Sequence, residues 1–322
     1  MPNNCNLAIK KELMKGPLFY SKILLFGEYG IIKDSKGLSI PYNFYNGALK
    51  ITNVNSRLAK DSNSKLFNFY EYLKSLNSPI INFNLDKFYS HLKSGMYFDS
   101  SIPEGYGVGS SGALVAAVYD YYANDKITVL ENLTRDKLLK LKEVFSIMES
   151  FFHGKSSGLD PLNSYLSIPI LINSRKDIKV TGIPSQQRFG EGAVFLLDSG
   201  EVSTTAPMIN IFMEKMKKDG FRNMLNDKFI KYTNMCVEDF LNGDLSSLFQ
   251  NTKKLSKIVF DNFKPMIPNK YHSLWQKGID NNSYFLKLCG SGGGGYILGF
   301  TQNIEKVKKE LVGHKIEVVY NF

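Results

Sequence analysis

The chain has 322 residues, 43% hydrophobic, 13% aromatic and 22% charged, a composition that excludes a disordered chain and is long enough to favour two domains. Its net charge of +10 comes almost entirely from lysine, because arginine occurs only at Arg57, Arg135, Arg175, Arg188 and Arg222; with so few guanidinium forks the basicity argues against nucleic-acid readout and for a general attraction to small polyanions. Three scattered cysteines (Cys5, Cys236, Cys289) without C-x-x-C spacing exclude a disulfide framework and a zinc site, and the sequence shows neither a signal-peptide core nor an apolar run of membrane length, so a cytoplasmic protein with no membrane partner is expected.

In chain order, residues 1–17 read as a loose lead-in. Residues 22–26 form a short apolar run closed by Gly27 and followed by the charged Glu28, the pattern of a buried strand whose end carries function. A second strand is expected at 48–52. Leu66, Phe69, Tyr70, Leu73 and Leu76 recur at helical spacing, as do Leu85, Phe88, Tyr89 and Leu92, with Gly95 as a stop signal. Residues 97–102 return to strand character and end at Pro103.

Gly105, Gly107 and Gly109 then alternate along the chain, Ser110 and Ser111 follow, and residues 112–118 read as a helix. A glycine-rich turn that feeds a helix start aims unpaired N–H groups and the positive end of the macrodipole at an anion, and serine hydroxyls can bind phosphate or a divalent cation. This stretch therefore reads as a phosphate cradle. Leu138, Leu141, Val144, Phe145, Met148 and Phe152 mark a further amphipathic helix, with Glu149 near its end. Residues 153–158 break it, and His153 reads as a structural turn residue. Pro161 suits the first turn of a new helix and places Asp160 at or near its N-cap, with the carboxylate presented outward. Strands are expected at 168–172 and 178–183.

A cluster of Pro184, Ser185, Gln186, Gln187 and Gly190 marks the domain boundary, giving domains at 1–187 and 188–322. Beyond it the pattern predicts a strand at 193–197, helices near 206–218, 227–241, 246–262 and 270–279, a strand at 284–288, a glycine loop at 290–295, a strand at 296–300, a helix at 304–312 and a strand at 315–320.

Two literal motifs fail on context. Residues 107–112 satisfy G-x-G-x-x-G, yet they follow a hundred residues of chain rather than a first strand, and Asp125 lies directly after a helix instead of ending the next strand. Residues 154–158 satisfy G-x-S-x-G, but the preceding segment is helical and the later His272 and His314 fall in a helical stretch and a turn, which is wrong for a nucleophile elbow. Phosphoryl transfer fits better. It needs a polyphosphate cradle, one or two oxygen ligands for a divalent cation, a positive group and a base for the acceptor hydroxyl; residues 105–112, Ser111 with Glu149, Lys22 and Asp160 supply these.

Residues 21–30, 103–113 and 288–295 resemble, in order and spacing, the three motifs of the GHMP kinases. Glu149 followed by His153, Gly154, Lys155, Ser156, Ser157, Gly158, Leu159 and Asp160 is most similar to the mevalonate kinase branch. The resemblance implies a two-domain α+β fold, with a ribosomal-protein-S5-domain-2-like N-terminal domain, a ferredoxin-like C-terminal domain and the active site between them. It implies ATP- and Mg2+-dependent phosphorylation of the mevalonate 5-hydroxyl, with a phosphomevalonate, sugar or homoserine acceptor, or a non-catalytic nucleotide-binding homologue, as alternatives. It leaves a homodimer open.

Carried over by position, Asp160 and Lys22 are catalytic. Gly105, Gly107, Val108, Gly109, Ser110, Ser111 and Gly112 wrap the ATP phosphates, and Ser111 and Glu149 hold Mg2+. Lys22, Glu28, Tyr29, Ser157, Gly158, Asp160 and Thr205 lie at the acceptor, where Thr204 and Thr205 match a hydroxyl-bearing turn. Gly290, Ser291, Gly292, Gly293 and Gly294 bring the second domain's backbone close to substrate. Four departures from the family stand out. Tyr29 replaces a usual histidine beside the acceptor, Glu104 puts a negative charge next to the cradle unless a lysine pairs with it, Gly112 replaces a common alanine and so loosens the helix start by up to about 1 kcal/mol, and Lys155 with Ser156 replaces an Asn-Pro pair.

Overall fold

The computed structural model describes residues 16–322 except 52–55, 77, 79, 131, 188 and 189. Most of the lead-in, Thr52 of the expected second strand and Arg188 at the expected boundary thus lie outside the described residues. The first sheet is organised on one strand. β1 (Phe19–Phe26) runs antiparallel to β2 (Gly37–Ile51), a 15-residue strand. The other edge of β2 takes β3 (Met96–Ser100) against Gly47 to Ile51 and β4 (Ile170–Ser174) against Gly37 to Ser39; β5 (Asp177–Val180) pairs with β4. Sequence pattern finds only the last part of β2, because Pro41, Asn43, Asn46 and Gly47 interrupt its alternation. The strand tolerates them because it is irregular there, with a register shift opposite Tyr20 and Ser21. β4 and β5 are displaced from the expected 168–172 and 178–183: Ser167, at φ 52°, ends the preceding helix and delays the strand.

Helices cover this sheet. α1 (Arg57–Ser75), α2 (Leu85–Lys93) and α4 (Arg135–His153) each bury one stripe, and side chains of Ser56, Asn84 and Thr134 cap their N-termini. α3 (Ser110–Tyr122) differs: Ala113, Val115, Ala116, Ala117, Val118, Tyr119 and Tyr122 are all buried, and Ser110, Leu114 and Tyr121 form only a half-buried stripe, so most of its circumference lies in the core. It packs against α5 (Leu159–Leu166), β1 and β2.

The second sheet comprises β6 (Ala193–Asp198), β7 (Phe285–Leu288), β8 (Tyr296–Thr301) and β9 (Ile316–Asn321) in the order β7-β8-β6-β9, all antiparallel. Between β6 and β7 run α6 (Thr205–Met216), α7 (Asp219–Met224), a π-helical turn at Leu225–Phe229, α8 (Ile230–Asn242), α9 (Leu245–Asn262) and α10 (His272–Asn281); α11 (Ile304–Glu310) joins β8 to β9. With the long helical insertion counted as one crossover, this is the β-α-β-β-α-β ferredoxin-like order. The short α7 is absent from the sequence reading. None of the described helices is long and apolar enough to cross a membrane.

The two sheets meet through aromatic and polar contacts. Phe26 stacks on Phe300 at 5.2 Å between centroids. The Tyr45 hydroxyl lies 2.6 Å from that of Tyr296 and donates to Glu317 Oε1 at 2.8 Å. The segments named above as functional converge at this junction.

Candidate active site

Two helix starts define the site. α3 and α5 begin at Gly109 and Gly158, both with left-handed backbone (φ 83° and 72°) and neither offering a side chain to the first-turn N–H groups. At α3 those donors are left for an incoming anion, unlike the side-chain-capped starts of α1, α2 and α4; at α5 the Leu159 N–H is taken by Ser157 Oγ and Pro161 has none. Gly105, Gly107 and Val108 form the turn leading into α3, followed by Ser110 and Ser111 in its first turn.

Lys22, on β1, ties the two helix starts together. Its backbone N–H donates to Val108 O at 3.0 Å, its Nζ sits 2.9 Å from Asp160 Oδ1, and Nζ also donates to Gly107 O at 3.4 Å. Burial works to lower the ammonium's pKa. The charge and hydrogen bond of Asp160, with smaller help from Cys289 and Glu149, outweigh it and hold the group above its ordinary value, so Lys22 stays charged at neutral pH. Asp160 is the second residue of α5 rather than its N-cap, because Gly158 takes that place, and its side chain remains 38% exposed. A buried cation thus presents a carboxylate to solvent beside the start of α3.

Gly112 explains how close these parts come. A Cβ on Gly112 would lie 2.8 Å from both the Asp160 carbonyl carbon and Pro161 N, which are backbone atoms that cannot swing away. The expected loosening of the helix start is therefore the wrong account: glycine is what lets α5 carry Asp160 against α3. Gly112→Ala gains about 1 kcal/mol of helix propensity but overpacks rigid backbone at about 1–3 kcal/mol. The variant should melt below the wild type in a thermal unfolding scan.

A second cluster forms where α4 approaches α3. Ser111 Oγ donates to Glu149 Oε1 at 3.1 Å, and His153 Nε2 lies 3.0 Å from the same hydroxyl. Ser156 donates to Glu149 Oε2, and its own oxygen accepts from Gly158 N–H at 3.0 Å, so Ser156 braces the carboxylate and the start of α5. Glu149 is 3% exposed. Burial, then the nearby charge of Asp160, push its carboxyl up to about 8. A buried carboxylate with raised pKa beside a hydroxyl is short of positive charge, and both donors are hard oxygens, so Ser111 and Glu149 fit a Mg2+ ion. His153 was expected to be a turn residue. It reaches into this cluster instead, and burial lowers its pKa, which keeps the ring neutral.

The glycine loop of the second domain closes over the cradle. Gly290 to Gly294 connect β7 to β8; Gly293 N–H donates to Met266 O at 2.7 Å and Gly292 O accepts from Ser203 Oγ at 2.7 Å. A Cβ on Gly107 would stand 2.7 Å from Cys289 O, and Gly107 already has φ 79°, so the cradle and this loop touch backbone to backbone. Ser203 N–H donates to Gly105 O at 3.2 Å. The 199–205 turn thus meets the cradle through the Ser203 backbone, while the Ser203 hydroxyl is bound to the glycine loop; Thr205 is the half-buried first residue of α6. Ser157 is exposed and its Oγ accepts from Leu159 N–H at 3.3 Å, an interaction local to the start of α5.

Glu28 and Tyr29 are engaged by the second domain. Lys287 Nζ lies 2.5 Å from Glu28 Oε1 and donates to Leu288 O at 2.9 Å, with both charged side chains buried. Burial pushes the Glu28 carboxyl up, and Lys287 counters that only in part. Tyr29, with the unusual φ of 59°, donates its hydroxyl to Ser291 O at 2.7 Å and stacks on Phe212 at 4.6 Å. Lys287 escaped the sequence reading because it stands inside an apolar run. Glu104, next to the cradle, pairs with Lys65 Nζ at 3.1 Å from each carboxylate oxygen, which answers how a negative charge is tolerated there.

Residues 72–167 match the family model described as the GHMP kinases N terminal domain. No curated protein sequence matches the chain. Among solved structures, mevalonate kinase of L. major in complex with R-mevalonate is 18% identical, covering 97% of this chain and 98% of that one, at a TM-score of 0.62. Lactococcus lactis galactokinase complexed with galactose is 12% identical over 97% and 94% of the two chains, at 0.60. Streptococcus pneumoniae phosphomevalonate kinase in complex with phosphomevalonate and AMPPNP is 13% identical over 95% and 100%, at 0.59. These likenesses span essentially the whole of each chain and establish a common fold.

Proposed function

We propose that this chain, a member of the GHMP kinase superfamily by its N-terminal domain and its two-domain fold, transfers the γ-phosphoryl group of ATP to the 5-hydroxyl of mevalonate. The observation that carries the reading is the buried Lys22 holding Asp160 at 2.9 Å beside the open start of α3. A phosphate seated on the α3 N-terminus and a hydroxyl seated on Asp160 face one another across the Lys22 ammonium.

Phosphoryl transfer asks little covalent chemistry of the protein and much positioning. Asp160 accepts the hydroxyl proton as the acceptor oxygen attacks phosphorus, and the bond from phosphorus to the bridging oxygen of ADP breaks. Lys22 orients the carboxylate and stabilises negative charge between acceptor and phosphoryl group. The N–H groups of Ser110, Ser111 and Gly112 hold phosphate oxygens, and the loop at Gly290 to Gly294 keeps water out. Ser111 and Glu149 would hold Mg2+, which when bound neutralises charge on the β- and γ-phosphates.

The test is the product: phosphorus NMR of the protein with ATP, Mg2+ and mevalonate should show ADP and a new phosphate monoester in equal amounts. Nucleotide binding without a new monoester would favour a non-catalytic homologue. Tyr29 supports a second reading, another GHMP acceptor, because its hydroxyl is bound to Ser291 O at the position where the family usually places histidine. The exposed Glu104–Lys65 pair should matter little, since such pairs are largely solvent-screened. Glu104→Gln is expected to leave the KM for ATP within about twofold in steady-state kinetics.

A further inference from the structure

Glu149 and His153 stand four residues apart on α4, so one helical turn separates them on a single face. Both reach the same atom: Ser111 Oγ is 3.1 Å from Glu149 Oε1 and 3.0 Å from His153 Nε2. In an octahedral shell with ligands at 2.0–2.1 Å, neighbouring ligand atoms stand about 3 Å apart. The hydroxyl therefore stands from the carboxylate, and from the imidazole, at the spacing of adjacent ligands around one ion. Among the described residues, Ser111 Oγ is the one hydrogen-bond partner of the His153 ring, and His153 sits on the solvent side of the cluster, where an ion would enter. Charge agrees, because Glu149 and Asp160 face a single ammonium, Lys22. No group of three or more His, Cys, Asp or Glu side chains among the described residues has metal-holding spacing, so the set depends on the serine hydroxyl joining one histidine and one glutamate.

We infer that His153 is a third protein ligand of the divalent cation, through Nε2, and that it widens the site's choice of ion. The inference rests on the reading of Ser111 and Glu149 as cation ligands. Imidazole favours later first-row transition ions over Mg2+. The chain should thus bind Mn2+ and Co2+ more tightly relative to Mg2+ than a site made of oxygen donors alone.

The probe is Mn2+ titrated into the full chain without nucleotide, followed by continuous-wave EPR for affinity and by pulsed EPR for nitrogen coupling. Wild-type protein should show nitrogen modulation from a bound imidazole. His153→Gln should lose it and bind Mn2+ about tenfold more weakly, with a smaller change for Mg2+. Labelling the wild-type histidines with 15N should shift the modulation, which tests the assignment with no substitution. Binding that weakens in Glu149→Gln but shows no nitrogen modulation would overturn the His153 assignment and leave the oxygen site standing. Affinity unchanged in both variants would overturn the oxygen site as well.

Discussion

Asp160→Asn should lower kcat by about 10²–10⁴-fold, the range that a positioned general base contributes, while the KM for ATP stays within a few-fold. Asparagine keeps the size of the side chain and its place in the first turn of α5, so the α3 N-terminus proposed to receive phosphate is undisturbed. The acceptor hydroxyl loses its proton acceptor. Lys22 also loses the partner that holds its ammonium in a buried position, so the variant should melt below the wild type, and kinetics belong well beneath that temperature. If kcat is unchanged, Asp160 has no part in the reaction.

The largest effect on stability should come from Lys287→Met. Removing one member of a buried ion pair leaves the other uncompensated and costs about 3–5 kcal/mol. Glu28 and Lys287 are that case, joining the turn after β1 to β7 of the other domain. The midpoint of urea unfolding should fall accordingly, and adding Glu28→Gln to the same chain should recover most of the loss, because the stranded charge is gone. The pH dependence follows from burial, which already raises the Glu28 carboxyl. Without Lys287 it rises further, so the folded variant binds a proton more tightly than the unfolded chain. Its stability is then greatest below the ordinary carboxylate range and is lost as pH climbs through the raised value, so the deficit against wild type should shrink in acid. A deficit that is independent of pH would mean that Lys287 acts through packing rather than charge.

These two residues mark what sequence shows and what it hides. Asp160 was legible because Pro161 and the preceding glycines announce a helix start, and a charged residue there has a short list of uses. The turn into α3 was legible for the same local reason: alternate glycines followed by serines and an apolar run announce one turn and the helix it feeds. Lys287 was hidden, since a lysine inside an apolar strand declares itself only through Glu28, 259 residues away along the chain. Gly112 was visible but misread, because propensity concerns one helix and the reason for glycine lies in a second one pressed against it. His153, Ser203 and the pairing of Glu104 with Lys65 likewise depend on contacts between separate elements. The long β2 was cut short by Pro41 and Asn46, residues that read as turn formers until the irregular pairing with β1 is seen.

ATP-dependent phosphorylation of mevalonate can be followed as coupled ADP release from the purified protein with ATP and Mg2+. The acceptors offered in parallel would be mevalonate, phosphomevalonate, galactose and homoserine. Mevalonate should give the highest kcat/KM, and Asp160→Asn should lose it. Turnover of another acceptor but not mevalonate would contradict the substrate, and ATP binding with turnover of none would contradict the catalytic reading itself.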